Sequence, residues 1–301
     1  MTVPTPAEVT ALCATAWPDR LPHPRGLADR LGEPSGWAWR RDDAGRLVAF
    51  AAFRPPESAP HGHLRLLLTH PDLRGRGLGR ALVAEVRERL GPVPLAAGEE
   101  RGHFLPSAPE ASVGFFERVG FVPTGRVSVD MVADLRPPPP AARLPAHLRL
   151  TDAREEGILS GVQALTTDVF SPRWTHDATA VATRAPHQLL ALQGDGRVLG
   201  FALVGTGDNP AILPSFLFPA ALCAAVGADG LAGGLGPVGL HPDLRGSGVG
   251  RALMLAAMHH LRGQGVQAMG IDWTGIAPFY ERLGFRTWAS YTHLRLPALQ
   301  P

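Results

Sequence analysis

Two glycine-rich segments of nearly the same sequence hold the residues of this chain best suited to chemistry. The first runs from His70 to Leu82 and the second, 171 residues later, from His241 to Leu253, and eleven of thirteen positions are identical. Alternate glycines let a backbone approach a ligand closely and adopt a left-handed conformation. Backbone N–H groups at the start of a following helix then favour an anion. Each segment therefore predicts a pyrophosphate-binding turn.

Arginines flank the glycines in both segments and can give charge-assisted hydrogen bonds to phosphate oxygens. The residues predicted to hold the pyrophosphate in the first copy are Arg74, Gly75, Arg76, Gly77, Leu78, Gly79 and Arg80. Those of the second copy are Arg245, Gly246, Ser247, Gly248, Val249, Gly250 and Arg251.

Two other phosphate motifs fit these segments poorly. A Walker P-loop requires a lysine, and the chain contains none. A dinucleotide fingerprint has the spacing Gly-x-Gly-x-x-Gly after the first strand of its fold, whereas these turns have Gly-x-Gly-x-Gly in mid-domain. A tight turn without a ligand is the remaining alternative, and the near-identity of two copies in otherwise diverged sequence argues against it.

The elements around each turn follow the same order in both halves. Apolar strand patterns at 64–69 and 236–240 enter the turns, and amphipathic helix patterns at 78–90 and 249–262 leave them. Hairpin patterns precede each strand. Helices interleaved with hairpins predict a mixed α/β fold with a mostly antiparallel sheet and flanking helices.

A repeat of this size indicates two tandem domains, which a chain of 301 residues can accommodate. Four consecutive prolines, Pro137 to Pro140, favour an extended spacer. The sequence therefore predicts an N-terminal domain at 1–136, a linker at 137–145 and a C-terminal domain at 146–301.

Composition excludes several classes of function. A formal net charge of +2 gives no basic surface for nucleic acid. Two cysteines, Cys13 and Cys223, form neither a metal site nor a disulfide framework. The N-terminus has no secretion pattern, and the apolar stretch at 211–226 is too short to span a bilayer. We therefore expect a cytoplasmic protein that uses no metal and binds no membrane.

The pattern Arg-x-x-Gly-x-Gly between a strand and a helix resembles the acetyl-CoA motif of the GNAT superfamily of N-acetyltransferases. A second motif, Phe279 to Phe285 with the sequence FYERLGF, resembles the final motif of that superfamily, and Phe115 to Phe121 is its copy in the first half. The chain thus looks like two tandem GNAT-like domains.

The resemblance implies direct attack of a neutral amine on the thioester of acetyl-CoA, the co-substrate. It also implies that the strand before each glycine turn offers free backbone groups to the pantetheine and the acetyl carbonyl. By position these residues are Val238, Gly239 and Leu240 in the second domain and Leu66, Leu67 and Leu68 in the first.

The usual acid of the superfamily is a tyrosine in the final motif, which matches Tyr280; the first domain has Phe116 there. A phenol can protonate the departing thiolate, and a phenyl ring cannot. We therefore expect the C-terminal domain to be the catalyst and the N-terminal domain to be a degenerate copy that binds CoA or only supports the fold.

Two residues are candidates for the general base: Asp229, just upstream of the second glycine-turn strand, and Asp272, at the end of the next strand. His241 and Asp243 recur in both copies and are expected to fix the geometry of the turn. Trp273 lies beside the expected acetyl site. The predicted acceptor is a small primary amine such as an amino sugar; the alternatives are a peptide or protein amine, or an acyl-CoA sensor that transfers nothing.

Overall fold

The chain forms two compact units in a computed structural model that describes residues 2–33, 36–57, 59–100, 102–209 and 211–298. Unit 1 contains the residues up to 129 together with those from 289 onward, and unit 2 contains residues 130–288. The units are thus discontinuous in sequence, and the proline-rich segment 137–145 falls within the range of unit 2. Its role as an interdomain linker stays a prediction.

The first half of the chain alternates helices with strands. Its helices are α1 (Pro6–Ala16), α2 (Pro24–Gly32), α3 (Leu78–Leu90) and α4 (Glu110–Arg118). Its strands are β1 (Gly36–Arg41), β2 (Leu47–Arg54), β3 (Gly62–Thr69), β4 (Leu95–Ala97), β5 (Ala108–Pro109) and β6 (Val122–Asp134), the last of which runs on into unit 2.

The second half repeats this alternation. Its helices are α5 (Ile158–Val169), α6 (Pro172–Arg184), α7 (Pro219–Val226), α8 (Val249–Gly263) and α9 (Ala277–Glu281). Its strands are β7 (Arg149–Asp152), β8 (Leu189–Gly194), β9 (Arg197–Thr206), β10 (Leu231–Leu240), β11 (Val266–Thr274) and β12 (Arg286–Leu296), and residues 289–296 of β12 belong to unit 1.

The sheet of unit 1 runs β1-β2-β3-β4 and continues into β12. Only the β3–β4 pair is parallel among the pairings described in this unit. All eight residues of β2 are buried, as expected for a strand with both faces covered. Leu294 and Leu296 of β12 join the core under α3, which explains why the end of the chain is counted with unit 1.

The sheet of unit 2 runs β7-β8-β9-β10-β11. Its first three pairings are antiparallel, and β10–β11 is parallel. Helix α8 buries a continuous face that includes Leu253, Met254 and Leu261. The predicted mixed α/β fold with a mostly antiparallel sheet is confirmed in both units.

Three glycines of unit 2 make room for the residues before α7. Phe216 is fully buried, and its ring lies within 3.0 Å of where side chains of Gly205 and Gly234 would begin. The carbonyl oxygen of Ser215 lies 2.0 Å from the corresponding point on Gly270. Any larger residue at these positions would collide with this segment, so its close packing on the sheet depends on glycine.

Candidate active site

The two glycine turns have the same backbone conformation. Gly75 and Gly77 have φ values of +80° and +80°, and Gly246 and Gly248 have values of +77° and +85°. Gly77 and Gly248 are the N-caps of α3 and α8, and neither helix start has a side-chain cap. The N–H of Val249 also lies 3.5 Å from Ser247 Oγ. Helix N-termini of this kind favour an anion, and pyrophosphate binding at them stays a prediction.

The histidine and aspartate of each turn interact with one another. His241 Nδ1 accepts a hydrogen bond from the N–H of Asp243 at 3.3 Å. In the first copy His70 Nδ1 lies 3.8 Å from Asp72 Oδ2. In both copies the histidine precedes a short 3-10 turn, Pro71–Leu73 or Pro242–Leu244, and the aspartate lies within it. This geometry fits the expectation that they shape the turn.

Strands β10 and β11 separate beyond the middle of their length. Their parallel register ends at Leu235 opposite Ile271. Strand β10 continues against β9 alone, from Val238 opposite Ala202 to Leu240 opposite Gly200. One edge of the backbone at 238–240 therefore lies outside the ladder with β11, which is the arrangement expected of backbone groups that bind pantetheine and the acetyl carbonyl.

The same separation occurs in unit 1. The parallel pairing of β3 with β4 ends at Leu64 opposite Ala97, while Leu66, Leu67 and Leu68 stay paired with β2. A cleft of about 730 Å³ opens there, and the glycine turn lines it together with Leu67, Leu68 and Phe115. Unit 1 therefore keeps a cleft with the dimensions of a ligand site.

Tyr280 lies at the end of the short helix α9 and is 5% exposed. The rings of Phe279 and Phe285 meet it edge-on at centroid distances of 5.0 and 6.0 Å. Burial, and secondarily the negative charge of Asp272, raises the pKa of Tyr280 to about 12. The phenol is therefore protonated at neutral pH, and it shares its surroundings with the Asp272 carboxylate.

The structure does not bring Asp229 to this place. Asp229 precedes β10, where its charge raises the pKa values of Cys223 and Arg136, in each case as a smaller contribution. The opening between β10 and β11 lies beyond Leu235, on the order of 20 Å along the strand at about 3.3 Å per residue. Of the two carboxylates the sequence offered, Asp272 is the one beside Tyr280.

Trp273 has a backbone conformation that is uncommon for a residue with a side chain. Its φ is +47°, and its N–H donates to Asp130 Oδ1 at 2.9 Å. The guanidinium carbon of Arg173, at the start of α6, lies 4.9 Å from the centre of the indole ring. Such strain persists only where the surroundings enforce it and is common at functional sites.

Sequence reasoning named Trp273 but missed Asp130 and Arg173. Asp130 is buried at the start of unit 2 and far from the motifs in sequence. Arg173 belongs to α6, whose amphipathic pattern carries no chemical signature. No signal in a single sequence distinguishes these two residues from ordinary surface charges.

The counterparts of these residues in unit 1 follow from the register. The last parallel pair of β3 with β4 is Leu64 opposite Ala97, and it corresponds to the last parallel pair of β10 with β11, Leu235 opposite Ile271. Asp272 is therefore replaced by Gly98, and Trp273 by Glu99, which also has a positive φ of +60°. Unit 1 keeps the backbone shape at the end of this strand and lacks the carboxylate.

Larger side chains stand in unit 1 where unit 2 has glycines. By the same register, Gly205, Gly234 and Gly236 correspond to Arg54, His63 and Arg65. The two arginines are buried in a network with Glu33 and Glu100; Arg54 Nη1 lies 3.2 Å from Glu100 Oε2, and Arg65 Nη2 lies 3.3 Å from Glu33 Oε2. This ion-pair network covers the face of β3 beside the opening.

The structure also bears on metals and membranes. Within residues 2–298, apart from the five positions left out, no three His, Cys, Asp or Glu side chains are grouped to hold a metal ion. In the same part of the chain, no helix combines the length and the apolar character needed to cross a bilayer.

The fold and the site define an acetyltransferase of the GNAT family. The family model for "Acetyltransferase (GNAT) family" matches residues 7–121 and 159–285. The chain therefore belongs to this family and contains its domain twice, as the resemblance in sequence predicted. Members of the family are N-acetyltransferases that use acetyl-CoA as co-substrate.

Among curated proteins, the chain is similar to two mycothiol acetyltransferases. It is 32% identical to that of Thermobispora bispora over 272 residues, covering 87% of this chain and 84% of the relative. It is 29% identical to that of Acidothermus cellulolyticus, covering 84% of this chain and 76% of the relative.

Among solved structures, the glucosamine N-acetyltransferase region of a fungal multi-domain β-N-acetylglucosaminidase has a TM-score of 0.79 at 20% identity. The match covers 96% of this chain and 36% of that longer chain. A tandem GNAT protein from the clavulanic acid biosynthesis pathway has a TM-score of 0.69 at 21% identity, covering 99% and 96%. These two likenesses show the fold.

Proposed function

We propose that unit 2 transfers the acetyl group of acetyl-CoA to the primary amine of a small molecule, with an amino sugar as the favoured acceptor class. The observation that carries the proposal is the place of Asp272. It follows the point where β10 and β11 separate, its Oδ1 lies 3.1 Å from where a side chain of Gly236 would begin, and its charge acts on the buried Tyr280 hydroxyl. Unit 1 has Gly98 and Phe116 at these places and therefore lacks the counterparts of Asp272 and Tyr280.

Donor binding uses the second glycine turn and the free edge of β10. The N–H groups at the start of α8 hold the pyrophosphate, and Arg245 and Arg251 add charge. The backbone of Val238, Gly239 and Leu240 binds the pantetheine and polarises the thioester carbonyl. A Cβ atom on Gly239 would lie within 2.8 Å of the rings of Phe170 and Phe201, so this position has no room for a side chain.

The chemical step moves two protons. The amine nitrogen attacks the thioester carbon, the C–N bond forms, and the C–S bond breaks as the tetrahedral intermediate collapses. Asp272 accepts the proton that the nitrogen loses, and Tyr280 donates its hydroxyl proton to the departing sulfur. The neighbouring Asp272 then returns its proton to the tyrosinate, so the products are the acetamide and CoA thiol.

The acceptor side is bordered by Trp273 and Arg173. The indole offers a flat apolar face to a sugar ring, and the guanidinium offers donors to ring hydroxyls. The names of relatives support a small polar acceptor, since they include mycothiol acetyltransferases and a glucosamine N-acetyltransferase region. A substrate of this class is consistent with the modest net charge of the chain.

The test measures CoA thiol released from acetyl-CoA by the full chain with glucosamine, with the acceptor on which mycothiol acetyltransferases act, and with a short peptide. We expect release with one of the first two, matched one to one by acetylated product in mass spectrometry. Release with the peptide alone would overturn the small-molecule assignment. Stabilisation by acetyl-CoA without release from any amine would favour the sensor alternative.

A further inference from the structure

The cleft of unit 1 has an inner extension. A second cavity of about 100 Å³ lies where β3 and β4 part, bordered by Leu64, Leu66 and Ala97. It shares Trp17, Leu67, Leu105, Pro109 and Ser112 with the 730 Å³ cleft. We call this second cavity the inner chamber. It lies against Leu66 and Leu67, part of the strand expected to bind the thioester.

The walls of the inner chamber are mostly apolar. Phe116 forms part of its wall, at the position that holds the proton donor in unit 2. The polar groups that border it are already satisfied, because Ser107 Oγ donates to Ala97 O at 2.8 Å and Ser112 Oγ donates to Pro109 O at 2.8 Å. A cavity whose polar walls are satisfied gains little from water and favours an apolar occupant.

A buried ion-pair network forms one wall of the inner chamber. Arg65 borders the chamber, and its guanidinium is bound to Glu100, to Glu33 and to the carbonyl of Arg30 at 2.7 Å. The Arg65 side chain is fully buried, and Glu100 is 2% exposed.

The size of the chamber exceeds that of an acetyl group. A dry cavity of about 150 Å³ takes a benzene molecule, so 100 Å³ holds roughly three or four carbons. An acetyl group places one methyl carbon beyond the carbonyl and would leave most of this space empty.

We infer that unit 1 is a binding site for a short-chain acyl-CoA longer than acetyl-CoA, of which butyryl-CoA is the best-fitting linear member. The glycine turn at 75–79 holds the pyrophosphate, and the inner chamber takes the acyl chain. Unit 1 does not transfer this group, because Phe116 and Gly98 stand where unit 2 has Tyr280 and Asp272. The inference extends the proposed division between the units and does not require unit 2 to be active.

The test isolates unit 1 within the full chain. Gly248→Val places a β-branched residue at a φ of +85°, which distorts the second turn. Isothermal titration of this variant with acetyl-, butyryl- and octanoyl-CoA should show one site. Butyryl-CoA, which has two more methylenes, should bind roughly fifteenfold tighter than acetyl-CoA, given about fourfold per buried methylene. Octanoyl-CoA should gain nothing further.

Two variants locate the effect in the chamber. Ala108 borders the chamber and not the outer cleft, so Ala108→Leu should remove the preference for butyryl-CoA and leave acetyl-CoA binding intact. Phe116→Leu enlarges the chamber and should shift the best-binding acyl chain toward a greater length. This variant tests the inference even if Ala108→Leu fails to fold. Adding Gly77→Val should abolish the remaining site.

Equal affinity for acetyl- and butyryl-CoA in the Gly248→Val protein would overturn the inference, and so would a preference that neither chamber variant changes. Survival of the site after Gly77→Val would overturn it as well. These outcomes concern binding alone, whereas failure of the proposed function would appear as absence of CoA release from the wild-type protein.

Discussion

Asp130 Oδ1 accepts a hydrogen bond of 2.9 Å from the backbone N–H of Trp273, and this contact anchors β11 where its backbone is left-handed. The residue before Trp273 is Asp272, whose charge acts on the Tyr280 hydroxyl. The orientation of the proposed base therefore depends on a buried carboxylate of the neighbouring strand β6. Asp130 is in this sense a positioning residue.

Replacing Asp130 by alanine should lower kcat about tenfold while leaving the Kd of acetyl-CoA unchanged, because the donor site on β10 is not altered. The orphaned N–H of Trp273 should also reduce the free energy of unfolding by about 1–3 kcal/mol. Steady-state kinetics and urea unfolding measure the two effects. Asp134→Ala, on the same strand in a surface pair with Arg136, is the matched control and should change neither kcat nor acetyl-CoA binding. Equal kcat losses in both variants would contradict the positioning role.

The raised pKa of Tyr280 should affect how the free energy of unfolding depends on pH. The ordinary phenol value is 10.0 and the value in the fold is about 12, mainly because of burial. A raised pKa in the folded state means that this stabilising contribution is complete below pH 10 and is lost as pH rises toward 12. The wild-type free energy of unfolding should therefore fall more steeply over that window than that of Tyr280→Phe. Identical slopes would contradict the burial of this group.

Asp272 contributes to the same shift through its negative charge. Asp272→Asn should therefore lower the pKa of Tyr280, which ultraviolet difference absorbance of the tyrosinate can follow, with Tyr280→Phe to subtract the signal of Tyr291. The variant should also lose turnover, since an amide cannot accept the proton of the amine. An unchanged pKa of Tyr280 in this variant would contradict an electrostatic interaction between the two side chains.

The two glycine turns should differ in their effect on turnover despite their equal conformations. Gly248→Val should raise the KM for acetyl-CoA more than tenfold, because a valine at a φ of +85° disrupts the cradle of the catalytic unit. Gly77→Val makes the same change at +80° in unit 1 and should leave kcat and KM within about twofold. Similar losses from both variants would contradict the assignment of transfer to unit 2 alone.

The ion-pair network of unit 1 should matter for stability. Glu100→Gln leaves Arg54 and Arg65 buried without a full counter-charge and should reduce the free energy of unfolding by about 3–5 kcal/mol. Glu85→Gln removes a carboxylate that pairs with Arg40 and Arg89 near the surface and should cost less than about 1 kcal/mol. Chemical denaturation compares the two variants. Equal effects would show that the buried network does not stabilise unit 1.

Local patterns predicted much of this fold. The turns, the helices after them and the order of elements were readable because glycine spacing and helical periodicity are short-range signals. The inclusion of residues 289–296 in unit 1 was not predictable, since the alternating pattern of a strand does not specify its partner. The replacement of Gly205 and Gly236 by arginines in unit 1 could not be predicted either, because the correspondence depends on the register of the strands.

The site was predictable in part for the same reason. Tyr280 stands within a motif, whereas the choice between Asp229 and Asp272 required the point at which β10 leaves β11. Asp130 lies 143 residues from Trp273, so no local sequence pattern predicts the contact between them.

The most direct test of the central claim is the kcat of Tyr280→Phe, measured beside the Kd of acetyl-CoA. Tyr291→Phe is the matched control, because that phenol is buried in unit 1, where Arg20 Nη1 donates to it at 3.0 Å. We predict a loss of roughly 10²–10⁴-fold in kcat for Tyr280→Phe, an unchanged Kd, and near-normal kcat for Tyr291→Phe. A kcat within twofold of the wild type in Tyr280→Phe would contradict the assignment of this phenol as the acid and of unit 2 as the catalyst.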